Sequence, residues 1–453
     1  SNAEMESIVE TICKTEQTKY VIGLDYGTLS ARAVLVCVHS GEVIAESIYP
    51  YPHGILTTLP VSSGTAGESG RAGPGCGAEK LPADYALQEI DDYVEAMYHT
   101  IREVVEKAGC RPDDVIGIGI DATSSTFLPL MQDGRPLGKT EQFAENPHAQ
   151  LKLWKHHGAQ AEADRITALA KERGEKFLMR CGGKVNAEWM LPKLMEIAGK
   201  APEVYAATDN FMEVSDYLVY LLTGEVTRCM CHAGYKLLWN EEDGYPAKEF
   251  LGMLHPLLFS LEEKLKGREV QVGECAGRLT EEAAGRLGLK AGTAVAASLI
   301  DAHVAVPSAG IDGPDQALMI LGTSCCMLLC SEKLSYIKGI SGCVRNAVLP
   351  GLYAYEAGQS AVGDLFEWFV NNCVPGSYER EAAGRGISLH TLLSEKASRL
   401  LPGESGLVAL DWWNGNRSCL ADANLSGMIL GLKLRTKPEE IYRALLEATA
   451  FGM

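Results

Sequence analysis

The sequence predicts an α/β protein made of two halves of related design, and three observations lead there. An apolar run over 20–24 enters the turn Gly27-Thr28, and a second over 318–321 enters Gly322-Thr323-Ser324. Related hairpins recurring in one chain point to a repeated design. A helical pattern over 87–105 leads into an apolar strand over 115–120, and another over 281–287 leads into a strand over 293–299. Helix followed by strand marks a layered α/β sheet.

Taken in order, runs over 20–24, 32–38 and 43–48 read as a β-meander whose first turn holds Gly27, Thr28 and Ser30. Residues 60–80 hold six glycines without apolar periodicity and read as a flexible surface insertion. Leu87, Ile90, Val94, Met97, Ile101, Val104 and Val105 recur at helical spacing, and Gly109 stops the helix. The strand over 115–120 ends at Asp121, and 151–222 is mostly helical by pattern. A second alternating unit starts near Val272, and its strand over 293–299 ends at Asp301. Runs over 318–321 and 325–330 pair through Gly322-Thr323-Ser324. Thr436 is expected to cap the last helix, with Pro438 and Glu439 in its first turn. Ile441, Leu445, Ala448 and Phe451 mark its apolar face, and the pattern stops at Met453 with no convincing cap.

A length of 453 residues suits two or three domains. The expected division is a tail over 1–17, opening on a tag-cleavage scar at Ser1-Asn2-Ala3, then domains over 18–272 and 273–453. A net charge of −18 disfavours nucleic acid and anionic membranes as partners. No apolar run is long enough to span a bilayer, and no signal-peptide pattern follows the scar. The 14 cysteines contain no Cys-x-x-Cys pair, so reduced thiols in the cytoplasm are expected rather than zinc or disulfides.

Few residues can carry chemistry. A Gly-rich turn such as Asp25-Tyr26-Gly27-Thr28-Leu29-Ser30 exposes consecutive backbone N–H groups that suit phosphate oxygens, and an Asp there can hold Mg²⁺. An ordinary hairpin turn explains it equally until Gly322-Thr323-Ser324 supplies a second turn of the same kind. Asp301 follows an apolar strand, where carboxylates often line a ligand crevice, although a helix cap is the plain alternative. His303 is expected to be structural. Ser124, within Asp121-Ala122-Thr123-Ser124-Ser125-Thr126, and Glu356 suit contacts to a polyol, against local turns and caps. Lys236 can bind an oxygen as a point charge, against simple solvation.

Together these stretches resemble the FGGY carbohydrate kinases, and within them the ribulose-phosphorylating branch. Residues 23–32 carry the likeness, with Phe143-Ala144-Glu145-Asn146-Pro147, Leu153-Trp154-Lys155, Ala187-Glu188-Trp189 and 233–239. Further on, Leu321-Gly322-Thr323-Ser324-Cys325, 356–364, Leu410-Asp411-Trp412-Trp413-Asn414-Gly415 and Ala448-Thr449-Ala450-Phe451-Gly452 continue it in the same order. The resemblance implies an actin-like (ribonuclease H-like) fold, with a sugar-binding first domain, a nucleotide-binding second domain and a catalytic cleft between them. It implies phosphorylation of L-ribulose at O5 by ATP with Mg²⁺, in L-arabinose catabolism. Asp301 falls at the family's base and Asp25 at its metal-linked carboxylate. Gly27, Thr28, Ser30, Arg32, Gly322, Thr323 and Ser324 fall on the phosphate turns. Ser124, Lys236, Asp301 and Glu356 fall where a ketopentose is held.

There are departures. The family commonly has Asp after the Trp-Lys pair, where this chain has His156 and His157, so the sugar-side wall is expected to differ. The glycine-rich insertion is unusual. Family members continue past Thr-Ala-Phe-Gly into an adenosine-binding segment, so the second domain is expected to be incomplete. Two other readings stay open: a sister kinase for D-ribulose, xylulose or another ketose, and a non-catalytic sugar-binding relative. A homodimer is one assembly open to it.

Overall fold

β1 (Tyr20–Tyr26), β2 (Ser30–Cys37) and β3 (Val43–Pro50) form the expected antiparallel meander. Alternation dictates its faces: Ile22, Leu24 and Tyr26 on β1, and Ala31, Ala33 and Leu35 on β2, are buried. The computed structural model describes residues 18–60, 78–314, 316–422 and 424–453. The glycine-rich stretch from 61 to 77, and the tail over 1–17, lie outside the described residues. The segments Thr58–Pro60 and Ala78–Lys80 pair as short antiparallel strands.

The helix α1 (Ile90–Ala108) covers the meander with Tyr93, Met97, Ile101 and Val104. Glu89 caps its start, and Gly109 ends it at φ +59°, a left-handed turn that favours glycine. β4 (Val115–Ala122) then runs parallel to β1, as a strand–helix–strand crossover requires. The stretch 151–222 is helical over Gln160–Arg173, Met190–Lys200 and Val214–Thr223, but Asn210–Glu213 is a strand paired with Phe127–Leu130.

The chain divides into two compact units. The expected boundary near Gly273 is corrected by β5 (Cys275–Arg278), β6 (Ala294–Ala296) and β7 (Leu299–Ile300). All three belong to the first unit's seven-stranded sheet, ordered β5-β6-β4-β1-β2-β3 with β7 also on β4. The strand expected over 293–299 is therefore two short strands, each parallel to β4. The first unit comprises the described part of Ser1–Gly174, Val185–Ala305 and Arg345–Gly351; the second comprises Glu175–Lys184, Val306–Val344 and Leu352–Met453.

The second unit carries β8 (Ala317–Leu321), β9 (Cys325–Ser331), β10 (Gly342–Arg345) and β11 (Tyr353–Gln359), ordered β8-β9-β11-β10. Its helices pack around Leu365, Phe369, Leu393 and Leu445. The last helix spans Pro438–Gly452, and its cap is Lys437 rather than Thr436. The Lys437 N–H donates to the Glu440 carboxylate at 2.6 Å, whereas the Thr436 hydroxyl accepts from Lys433 in the preceding turn. All cysteines among the described residues are free. No described helix is long and apolar enough to cross a membrane.

Candidate active site

In the first unit, strand register brings carboxylates together. Asp25 at the end of β1 lies directly beside Asp121 on β4. Leu299 on β7 pairs with Asp121, which brings Asp301 to the same sheet end. Burial first, and then the charges of Asp25 and Asp301, push the Asp121 carboxyl up to about 9. The Asp301 carboxyl is also raised, chiefly by burial, although its Oδ1 accepts the Ala302 N–H at 2.7 Å. One oxygen of Asp121 is buried without a hydrogen-bond partner. Asp25 is partly exposed and pairs with Arg32 across the β1–β2 hairpin at 3.0 Å.

The first turn is closed by the Gly27 N–H donating to the Ser30 carbonyl at 3.0 Å. Thr28 sits inside it, with its carbonyl held by the Gln88 amide at 2.7 Å. The loop after β4 is tied back to this strand end, because the Thr123 N–H donates to the Tyr26 carbonyl at 3.2 Å. Ser124 is half-buried on that loop. Ser125 beside it is in the left-handed region at φ +54°, and its hydroxyl is buried without a partner.

Lys236 lies in the last turn of the helix Met230–Leu237 and is 6 % exposed, so simple solvation is excluded. Its ammonium stands 5.9 Å from the Trp189 ring centre and 5.8 Å from that of Tyr235. Among the described residues it has no ion-pair partner. Its charge reaches the carboxyls of Asp301 and Glu213 without closing an ion pair with either, so a desolvated ammonium is left able to take a ligand oxygen. His303 is structural in its contacts: its Nδ1 lies 2.9 Å from the Cys231 sulfur, and its ring lies tilted against that of Tyr235, 4.5 Å between centres.

In the second unit, the Gly322 N–H donates to the Ser324 carbonyl at 3.0 Å, closing a turn like the first. The start of the helix Gly363–Cys373 fixes this turn from below: the N–H groups of Val362 and Gly363 donate to the Thr323 and Gly322 carbonyls, each at 2.9 Å. Glu356 lies on β11 opposite Leu328 of β9, on the sheet that carries the turn.

Two groups of residues escape the sequence reading. Asp121 is read there only as a strand end, although its equal position to Asp25 at the end of a parallel neighbour was the available signal. His156, which stands where the family commonly has Asp, is held in the interior. It is fully buried, with Nε2 2.8 Å from Glu196, in a cluster that also holds Lys152 and His148. Lys193 is fully buried too, and its three bonds to backbone carbonyls have no sequence signature.

The comparisons agree with one family. The N-terminal domain model of the FGGY family of carbohydrate kinases matches residues 77–307, and the C-terminal domain model matches 317–453. The chain is 50 % identical over 426 residues to a ribulokinase of Bacillus licheniformis, covering 94 % of this chain and 74 % of that protein. It is 48 % identical over 436 residues to a ribulokinase of Halalkalibacterium halodurans, covering 96 % and 75 %. In fold it is similar to the xylulose kinase of Rhodospirillum rubrum, with TM-score 0.74 at 24 % identity over 95 % of this chain and 77 % of that one. The glycerol kinase of Plasmodium falciparum, solved with ADP, gives TM-score 0.70 at 13 % identity over 96 % and 77 %.

Proposed function

The chain belongs to the FGGY family of carbohydrate kinases, and from that premise we infer that it phosphorylates ribulose with ATP. In the finer reading the acceptor is L-ribulose, the acceptor atom is O5, and the product is L-ribulose 5-phosphate. That product fits L-arabinose catabolism, and the free cysteines fit a cytoplasmic setting. The observation that carries the reading is Asp301: a half-buried carboxylate at the sheet end that also bears Asp25 and the Gly27–Ser30 turn.

Each residue then has a role that its surroundings support. Ser124, Lys236 and Glu356 hold the sugar, and Asp301 takes the proton of the O5 hydroxyl. The O5–phosphorus bond forms as the bond to the bridging oxygen of ADP breaks. Gly27, Thr28, Ser30 and Arg32 hold phosphate oxygens, as do Gly322, Thr323 and Ser324. Positioning and charge neutralisation supply most of the rate in such transfers.

Among the described residues no three metal-ligating side chains converge into a cage. Asp25 and the partnerless oxygen of Asp121 offer two sites at most. That suits Mg²⁺, which keeps its waters and takes most of its remaining ligands from substrate phosphates. Asp25 would hold the ion with Asp121 beside it, and the ion would neutralise phosphate charge.

The test is ADP release by the protein, expressed from its complete reading frame, with L-ribulose, D-ribulose and xylulose as acceptors. L-ribulose is expected to give the highest kcat/KM. Asp301→Asn should lower kcat by about 100-fold or more, the range lost with a general base. No ADP release with any of the three sugars, or unchanged turnover in Asp301→Asn, overturns the assignment.

A further inference from the structure

Three side chains outside the proposed site join its two first-unit loops. The indole N–H of Trp154 donates to the Thr28 hydroxyl oxygen at 3.1 Å. The backbone N–H of the same tryptophan donates to the Thr126 hydroxyl at 3.1 Å, and that hydroxyl lies 2.7 Å from the Thr123 hydroxyl. Trp154 thus touches the phosphate turn with its ring and the loop of Ser124 with its backbone.

Lys193 fixes the tryptophan in turn. Its ammonium donates to the carbonyls of Trp154 at 2.9 Å, Leu153 at 3.0 Å and Ser125 at 3.2 Å. An ammonium has three protons, so these three acceptors exhaust it. The Ser125 carbonyl belongs to a residue at φ +54°, a backbone state that a serine holds only when its surroundings dictate it. A leucine or methionine would fill the same buried volume without desolvating a charge. What lysine adds is joint anchorage of two separate loops at the residue that reaches Thr28.

We propose that Trp154 is a positioning residue that couples the sugar loop at Ser124 to the phosphate turn at Thr28. Seating of the sugar then orders the Thr28 hydroxyl through Thr126, Trp154 and the indole N–H. Trp154 is half-buried and its ring ends on Thr28, so its effect on the reaction passes through that hydroxyl. This inference rests on the roles given above to the two loops.

The experiment is steady-state kinetics of the whole protein with L-ribulose and ATP, in a cycle of Trp154→Phe and Thr28→Val. Phenylalanine keeps the ring and removes the N–H. A neutral hydrogen bond lost from a positioned group corresponds to a fall in kcat of about tenfold. The KM for L-ribulose should move less than about threefold on the same ground. If the indole acts through Thr28, the double variant is no slower than Thr28→Val alone, because coupled residues are not additive. In a Thr28→Ser background, which keeps the acceptor oxygen, the loss caused by Trp154→Phe should return. A thermal melt of each variant separates misfolding from mispositioning. Unchanged kcat in Trp154→Phe, or losses that multiply in the double variant, overturn the coupling while leaving the kinase assignment standing. No turnover by the unmodified protein overturns the kinase assignment and the coupling with it.

Discussion

Asp25 and Asp121 occupy matching positions on adjacent parallel strands, and only Asp25 has a cation, Arg32, against it. Asp121 faces the charges of Asp25 and Asp301 from a buried position and so carries a proton at neutral pH. Asp121→Asn replaces that protonated acid with a neutral group of the same shape. The variant is expected to melt at the same temperature or a few degrees higher, because the fold no longer has to keep protonated a carboxyl that the unfolded chain ionises at neutral pH. It should also need several-fold more Mg²⁺ for half-maximal ADP release, because asparagine is the weaker partner for a hard cation. A lowered melting temperature with an unchanged Mg²⁺ requirement would show that Asp121 serves the fold alone.

Lys236 leads to a different balance of stability and activity. It is buried among aromatic rings without an ion-pair partner among the described residues, so the fold bears its desolvation. Lys236→Met keeps the stem and removes the charge. Stability should hold or rise by about 1 kcal/mol, since replacing a desolvated charge with an apolar group of similar volume is often neutral or favourable. The KM for ribulose should rise at least about tenfold, the cost of one charge-assisted hydrogen bond. Urea unfolding and sugar-saturation curves on one preparation check both halves.

The second turn depends on a close approach. A Cβ added at Gly363 would lie 2.7 Å from the Gly322 carbonyl oxygen and 3.4 Å from the Thr323 Cα. Backbone cannot swing aside as a flexible side chain can, so Gly363→Ala must displace the turn. The expected result is a rise in the KM for ATP of about tenfold, with the KM for ribulose nearly unchanged, because one phosphate contact is misplaced by part of an ångström. Equal effects on both substrates would place the damage outside the turn.

What was legible in the sequence follows from the range of each signal. The meander, α1 and β4 were readable because alternation and helical spacing are local, and both Gly-Thr turns announce themselves by composition. The last strands of the first sheet go unassigned because nothing local in 275–300 says which sheet accepts them; their long-range pairing with β4, from Ala294 on Gly117 to Ile300 on Ala122, does. Lys193 and His156 look like surface residues in a string of letters. Their partners lie far along the chain, at Ser125, Leu153 and Trp154 for Lys193 and at Glu196 for His156.

Buried histidines should cost this protein stability in mild acid. His148, His156 and His232 are pushed down, chiefly by burial, to about 3, 4 and 3. In the unfolded chain each titrates near its ordinary value of about 6.5. Above that value neither state binds the proton, and the histidines leave stability unchanged. Between about 6.5 and 4 the unfolded state binds protons that the folded state refuses, so stability falls with falling pH. Each histidine contributes a slope of up to about 1.4 kcal/mol per pH unit. Glu196 adds to the loss at lower pH, because His156 and Lys152 hold its carboxyl below the usual range against the effect of burial. The raised carboxyls of Asp121, Glu213 and Asp216 work the other way over the same range, because the folded state holds their protons where the unfolded chain has lost them. The histidine contribution is therefore read as a difference: His232→Gln should gain stability over the unmodified protein as pH falls from about 6.5 to 4.5, by up to about 1.4 kcal/mol per pH unit in urea unfolding. No difference between the two down to pH 5 would mean that His232 accepts its proton in the folded state.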